Sequence, residues 1–378
     1  MAYEMARAGG STKTPARGRK PATPAGDAGL AKRLADALAP WFLAHQRDLS
    51  WRRTRDPYAI WVSEVMLQQT RVETVERYWS SFLARFPDAA TLAAAELDAV
   101  LQAWSGLGYY RRARMLHRGA EVVARDHGGR LPQDAEALRS IPGIGPYTAG
   151  AIASIAHDRP EPLVDGNVAR VLSRVQAIAE PREQLATARG HWALCAEVLR
   201  AGSPRILAQA LMELGATVCT PRSPACEQCP VRSDCRAWAT GTTATIPAVR
   251  VRAESPIERW WALAVDVGDG LVLERRPREG LLAGLWCLPL VARPDDEPLV
   301  AATLHGAVPV AVRTPRQTGA EVVHVFTHRR WELQVVRVTA RAGAWLDGER
   351  YARWRPDEAP PGGVPTLTRK LLARALAR

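Results

Sequence analysis

One seven-residue stretch, Ile141-Pro-Gly-Ile-Gly-Pro-Tyr147, constrains this chain more than any other. A helical pattern rich in leucine and alanine ends near Ser140, and a new one starts near Tyr147. Between them Pro142 and Pro146 interrupt the helical hydrogen bonding, and Gly143 and Gly145 are free to take positive φ. The chain must therefore fold two helices about a tight turn. Two glycines spaced this way leave backbone N–H groups uncovered at a helix N-terminus, a surface that holds a phosphate without reading sequence.

The charge balance points the same way. Of 378 residues, 51 are Lys or Arg and 39 are Asp or Glu, a formal charge of +12. Such an excess suits a polyanion, because each cation placed on a phosphate releases a counterion; a generally arginine-rich composition is the plainer explanation. No apolar run approaches the roughly 18 residues of a membrane span. Residues 1–29 are basic, small and polar with no hydrophobic segment, so they read as a disordered basic arm and not as a secretory signal. The chain is accordingly expected in the cytoplasm, at the nucleoid if it is prokaryotic.

Residues 30–238 carry mostly helical patterns, over Glu73–Arg85, Leu92–Trp104, Arg111–Asp126, Ala135–Arg139, Tyr147–His157, Asn167–Ala177 and Arg189–Leu199. Asp56-Pro57 is a helix start, an N-cap followed by proline. A polar, proline-bounded linker spans 239–256. Beyond it the signals turn to β: a hairpin of Trp260–Val267 and Leu271–Glu274 about Gly268-Asp-Gly270, a pair of strands at Val322–Thr327 and Trp331–Thr339, and a closing helix at Leu367–Ala377. Residues 257–378 form a second, α+β domain.

Three constellations carry chemistry. Cys219, Cys226, Cys229 and Cys235 lie close together with prolines at 221, 224 and 230, which suits a tetrahedral set of four thiolates. Spacing alone leaves zinc and iron–sulfur open, with disulfides behind both. Cys195 and Cys287 read as buried thiols. Glu64, on the helix after Pro57, falls beside Trp61, Val65 and Gln68 at the border of the apolar face. Partial desolvation there raises its pKa toward that of a general acid, unless it is simply an exposed helix glutamate. Asp165, in Leu163-Val-Asp-Gly-Asn-Val168, is placed to cap a helix and could face a cleft while doing so. Two such carboxylates are what glycosidic cleavage needs: one protonates the leaving group, and the other, ionised, stabilises the sugar cation or captures it.

Taken together these motifs resemble the MutY-type adenine DNA glycosylases of the helix-hairpin-helix, iron–sulfur superfamily. The match runs from about residue 30 to 375. It rests on Trp-Val-Ser-Glu-Val-Met-Leu-Gln-Gln-Thr-Arg-Val-Glu-Thr at 61–74, Gly-Leu-Gly-Tyr-Tyr at 106–110, the hairpin, Val-Asp-Gly-Asn-Val at 164–168, the four cysteines, and Gly-Leu-Leu-Ala-Gly-Leu-Trp at 280–286. The resemblance implies a [4Fe-4S] cluster on Cys219, Cys226, Cys229 and Cys235. It implies a six-helix lobe of about 56–165 and a cluster lobe of 30–55 and 166–238, with the active cleft between them. In it Glu64 would protonate N7 of a flipped-out adenine and Asp165 would stabilise or bond the sugar C1′, with Tyr147 and Asn167 around them. Gln69 and Tyr109 would wedge into the base stack, Gly143 and Gly145 would meet the backbone, and Arg52 and Gln209 would lie near the adenine edge.

The second domain resembles the nudix-like recognition domain of that family. Phe326-Thr327-His328 matches the loop that contacts 8-oxoguanine, with threonine where serine is more usual; the plainer reading is a strand end packed on the sheet. The glutamate-rich helix that binds metal in active nudix hydrolases is missing, so pyrophosphatase activity is not expected. The substrate implied is double-stranded DNA holding adenine opposite 8-oxoguanine or guanine, acted on by a monomer with no membrane partner. Two alternatives stand against this. An endonuclease III-type lyase shares the hairpin, the aspartate and the cysteines but needs an amine at position 147, and tyrosine cannot form an imine. An inactive DNA-binding scaffold would have no need of both Glu64 and Asp165.

Overall fold

Aspartate side chains mark where four of the helices start. The computed structural model describes residues 29–248, 254–294, 299, 304, 308, 310–313, 315–340 and 348–377; the basic arm falls outside these. The helical part runs α1 (Leu30–His45), α2 (Pro57–Leu67), α3 (Val72–Arg85), α4 (Ala89–Ala94), α5 (Leu97–Ala103), α6 (Arg111–Asp126), α7 (Ala135–Arg139), α8 (Pro146–Ala151), α9 (Gly166–Gln176), α10 (Leu185–Arg200), α11 (Pro204–Thr217) and α12 (Arg236–Ala239). Asp56, Asp88, Asp134 and Asp165 each accept a backbone N–H in the first turn of α2, α4, α7 and α9. That satisfies donors the helix itself cannot reach.

Two apolar cores organise these helices. One gathers α2 through α8, with Trp61, Phe82, Trp104, Leu116, Ile141 and Ile152 at its centre. The other gathers α1 with α9, α10 and α11, through Leu34, Phe42, Leu172, Val198 and Leu211. Helix α2 serves both, Trp61 facing the first core and Ile60 the second. Every residue from Tyr58 to Met66 is therefore buried. The sequence reading put Glu64 at a border with solvent; a helix packed on both sides leaves no such border, and Glu64 is only 5 % exposed.

The pattern over Leu92–Trp104 reads as one helix but folds as two, broken at Ala95 and Glu96, whose backbone is extended. The His117 ring lies 2.9 Å from the Ala95 carbonyl and gives that freed group a partner. The helix opening at the hairpin begins at Pro146 and continues past Ala151 as a π-turn over Ile152–Ala156. Helix α11 was not among the segments read from the sequence. The start of the expected linker is packed: Ile246 is buried, its carbonyl accepts from Arg174, and the Ala248 N–H donates to Ala179.

The C-terminal part is a mixed sheet of β1 (Ile257–Asp266), β2 (Leu271–Arg275), β3 (Trp286–Cys287), β4 (Leu290–Ala292), β5 (Arg316–Val325), β6 (Arg330–Thr339) and β7 (Tyr351–Trp354), followed by α13 (Thr366–Leu376). The main order is β3-β2-β1-β6-β5. Alternation along β1 sends Trp261, Leu263 and Val265 to one face and Ala262 and Ala264 to the other, where α13 packs. The hairpin of β1 and β2 is present but brief, paired at Asp266 and Leu271; β4 takes the Trp260–Ala262 stretch of the same edge, and β6 runs parallel along the other.

This sheet unit rests on the first helical core. Leu285 is buried within that core. Ser105 and Tyr110 both donate to the Val364 carbonyl, Arg275 pairs with Asp98 at 2.7 Å, and Arg114 donates to the Ala283 carbonyl. Among the described residues no helix is long and apolar enough to cross a membrane.

Candidate active site

A cleft opens between the two helical cores. It is lined by Glu64 and Ser63 of α2, Tyr147 of α8, Asp165 and Asn167 at the start of α9, and Gln209, Met212 and Glu213 of α11. Arg47, Arg52 and Gln69 line it as well. The Tyr147 hydroxyl donates to Glu64 Oε2 at 2.8 Å and lies 3.2 Å from the Met212 sulfur. Burial pushes Glu64 up from 4.5 to about 7; the Tyr147 hydrogen bond opposes this, and nearby Asp165 adds to it. Burial and the two carboxylates push the Tyr147 phenol up as well, so it remains a donor. A carboxyl group that titrates near neutral pH can give a proton and take it back.

Asp165 caps α9 and faces the cleft. Its Oδ1 accepts from the N–H groups of Asn167 and Val168 at 2.9 and 2.7 Å, and Oδ2 accepts from the Asn167 side-chain amide at 3.0 Å. Bonds of this kind fix the carboxylate's orientation at the helix start. Arg170 donates to Asn167 Oδ1, and also to the carbonyls of Cys219 and Gly215. A side-chain chain thus links the cleft to the cysteine loop. Two glycines make the approach possible. A Cβ on Gly150 would collide with the Pro162 carbonyl, and one on Gly215 would sit 2.6 Å from Asn167 Cβ.

The far wall is an arginine pair on one buried glutamate. Arg47 and Arg52 each place Nη2 at 2.7 Å from Glu213 Oε2. Burial alone would raise Glu213, but these hydrogen bonds hold it down to about 2. Arg52 also lies over the Phe42 ring at 5.2 Å and lowers Glu64 through its charge. Gln209 lines the cleft with its amide turned to the Arg205 carbonyl at 3.0 Å. Arg47, Met212, Glu213 and Arg170 were not found from the sequence. Glu213 left one signal, a charge inside the apolar stripe Leu207-x2-Ala210-Leu211-x2-Leu214. The arginines left none.

A second groove runs beside the first. Gln68 and Gln69 border both, and Tyr109, Arg139 and the hairpin residues Ile141–Gly145 line the second. Gly143 has φ +85°. The other glycine departs from expectation: Gly145 sits at φ −86°, ψ 177°, an extended conformation open to any residue, as N-cap of α8. A Cβ there would meet nothing within 4 Å. The fold does not require glycine at 145, so the surface it leaves uncovered is available to a ligand.

Cys219, Cys226, Cys229 and Cys235 line one small cavity with Arg174, Arg232 and Trp238, and none is in a disulfide. Arg174 Nη1 lies 3.3 Å from the Cys219 sulfur. Among the described residues no three His, Cys, Asp or Glu side chains converge as ligands of a single metal ion. Four thiols lining one cavity are the donor set that an iron–sulfur cluster takes. Cys195 and Cys287 are free and buried, and burial pushes both thiols up to about 11.

Phe326, Thr327 and His328 do not line the cleft. They form the turn joining β5 to β6, closed by Phe326 N–H to the Arg329 carbonyl at 2.8 Å. Phe326 packs edge-on against His324 and Trp331, as a strand end on the sheet, while Thr327 and His328 are exposed.

This fold, with a carboxyl acid and a capped carboxylate facing one cleft, belongs to a known class. Residues 62–195 match the model of the HhH-GPD superfamily base excision DNA repair proteins. Residues 219–235 match the iron–sulfur binding domain of endonuclease III, and 260–374 match the NUDIX domain. The chain is 36 % identical over 395 residues to the adenine DNA glycosylase of Rattus norvegicus, covering 88 % of this chain and 76 % of that one. Against the Homo sapiens adenine DNA glycosylase the figures are 39 % over 393 residues, 88 % and 70 %. Against that of Mycolicibacterium smegmatis they are 42 % over 223 residues, 59 % and 75 %. A solved thermostable thymine-DNA glycosylase superposes with a TM-score of 0.52 at 30 % identity, over 57 % of this chain and all of that one. The chain belongs to the adenine DNA glycosylase family. It is a DNA N-glycosylase of base excision repair with an iron–sulfur cluster and a nudix-like C-terminal domain.

Proposed function

We propose that this enzyme, acting as a monomer on duplex DNA, removes adenine paired with 8-oxoguanine or guanine and leaves the strand uncut. The observation that carries the reading is the buried Glu64 carboxyl, titrating at about 7 and bonded to Tyr147 beside the capped Asp165. Adenine turned out of the stack would enter the cleft between α2 and α11. Glu64, protonated, would give its proton to the leaving base as the N-glycosidic bond breaks. Asp165, oriented by three hydrogen bonds, would face the sugar cation. Water would complete the hydrolysis, with Glu64 positioned to take up the proton. Tyr147 orients the acid. An iron–sulfur cluster held by the four cysteines would fix the shape of the loop that Arg170 and Arg174 tie to α9.

A lyase route needs an amine at C1′. Between Lys32 and Lys370 the sequence has no lysine at all. The Thr327 hydroxyl and the His328 ring are exposed in the β5–β6 turn, and they would read the opposite base. The test is single-turnover release of adenine from duplexes with A opposite 8-oxoguanine, A opposite G and A opposite T. Release from the first two with strand breaks only after alkali supports the proposal. Release from all three alike, or breaks before alkali, overturns it.

A further inference from the structure

Two exposed residues of the groove beside the cleft hold a backbone that side chains rarely adopt. Gln69 has φ 57° and Tyr109 has φ 46°. They belong to different loops, the first leaving α2 and the second entering α6, yet both line the groove beside the hairpin. Tyr109 is 50 % exposed, an unusual place for a large ring. Left-handed backbone at non-glycine residues persists only where the surroundings over-determine it.

One side chain supplies that constraint on both loops. Arg112, on the first turn of α6, is buried. Its Nη1 reaches the carbonyls of Val65, Met66 and Gln68 at 2.9, 2.7 and 2.5 Å. Its Nη2 reaches Thr70 Oγ1 and the carbonyls of Leu107 and Gly108 at 3.0, 3.0 and 3.1 Å. Gln69 is thus bracketed by contacts at 68 and 70, and Tyr109 follows the contact at 108. The guanidinium also lies 5.5 Å from the Tyr109 ring and 5.4 Å from that of Trp104. Among the described residues Arg112 makes no ion pair with a carboxylate; its partners are almost all carbonyls freed by the end of α2 and by the 106–110 loop. A planar fork is the one side chain that can serve both sets at once.

We propose that Arg112 is a positioning residue that locks Gln69 and Tyr109 into one preformed wedge, so that the enzyme meets the duplex with the unstacking element already built. This rests on the adenine glycosylase reading, in which a base must leave the stack. Preorganisation matters because misplacing a contacting group by about 1 Å can cost roughly 100-fold in rate.

The experiment places 2-aminopurine beside the mispaired adenine and follows its fluorescence on mixing, together with single-turnover adenine release. The proteins are wild type, Arg112→Gln, Tyr109→Ala and the double variant, each checked by thermal melting. Arg112→Gln is expected to slow the fluorescence change about 10- to 100-fold, and adding Tyr109→Ala should cost little more, since the two act as a unit. The pH dependence set by Glu64 should stay where it is in wild type. Should the Gln variant not fold, Arg112→Lys takes its place. It keeps the charge but reaches only one loop, and the same loss is expected. A folded Arg112 variant with wild-type fluorescence kinetics overturns the proposal. So do effects that simply multiply in the double variant, or a shifted pH dependence, which would show Arg112 acting through Glu64. Wild-type kinetics in Tyr109→Ala alone would instead overturn the wedge reading on which the proposal stands.

Discussion

At the scale of the residue, Glu64 sets the pH behaviour. Its pKa in the fold is about 7 against 4.5 for an ordinary glutamate, chiefly because it is buried. The acid form is the working form, so the single-turnover rate should be flat below about pH 6 and fall as pH rises through 7. The Tyr147 hydrogen bond favours the ionised form. Tyr147→Phe should therefore move the falling limb to higher pH, and an unmoved or lowered limb would contradict this account. Stability runs in step. A raised carboxyl pKa costs the fold nothing below pH 4.5, and the full cost is present above pH 7. Glu64→Gln should lose most of the rate yet gain up to about 3 kcal/mol at pH 8, a gain that disappears at pH 4; melting at the two pH values checks it.

At the scale of the element, the hairpin separates two jobs that its glycines share in the sequence. Gly143 has φ +85° with Met115 Cβ 2.9 Å from where its own Cβ would be. Gly143→Ala should destabilise the protein by about 1–3 kcal/mol. Gly145 has ordinary dihedrals and open space, so Gly145→Ala should melt within about 0.5 kcal/mol of wild type. It should nevertheless bind every duplex more weakly, matched or mismatched, because a methyl group would stand on the phosphate-facing surface. Wild-type affinity across a salt titration would remove the hairpin from that role. The cysteine loop is the other element with a clear expectation. Iron and acid-labile sulfide should be recovered in equal amounts, and zinc with no sulfide would fail it. Oxidative loss of the cluster should weaken DNA binding more than helix content, since α9 through α11 keep their own apolar core.

For the whole molecule, the question is how firmly the sheet unit is attached. Leu285 is fully buried in the core of the first helical lobe, and Val364 accepts from both Ser105 and Tyr110. Leu285→Ala should cost about 2–5 kcal/mol and weaken both units together. Asp98→Asn breaks an ion pair whose side chains are 35–37 % exposed, and should cost less than about 1 kcal/mol. Thermal unfolding followed by cluster absorbance and by tryptophan fluorescence would check both. Two well-separated transitions in wild type would show that the contact does not couple the units.

Much of this was legible in the chain itself. Asp165 followed by Gly-Asn announces a cap, Asp56-Pro57 announces a helix start, and four closely spaced cysteines announce a common cavity; each signal is local, because a cap, a turn or a short ligand loop is closed by residues near in sequence. The acid itself was visible, but not the depth of its burial: Glu64 lies on a helix that two separate cores share, and periodicity within one helix cannot count its neighbours. The break at Ala95 needed His117 from another helix. Glu213 needed two arginines 161 and 166 residues away in the chain. Arg112 could not be singled out among the many arginines of this sequence, since what distinguishes it is six acceptors drawn from two loops. Sequence determined which residues could do chemistry and where helices begin. Tertiary structure decided which charges meet, because Coulomb and hydrogen-bond energies depend on distances in space and on the water that packing excludes.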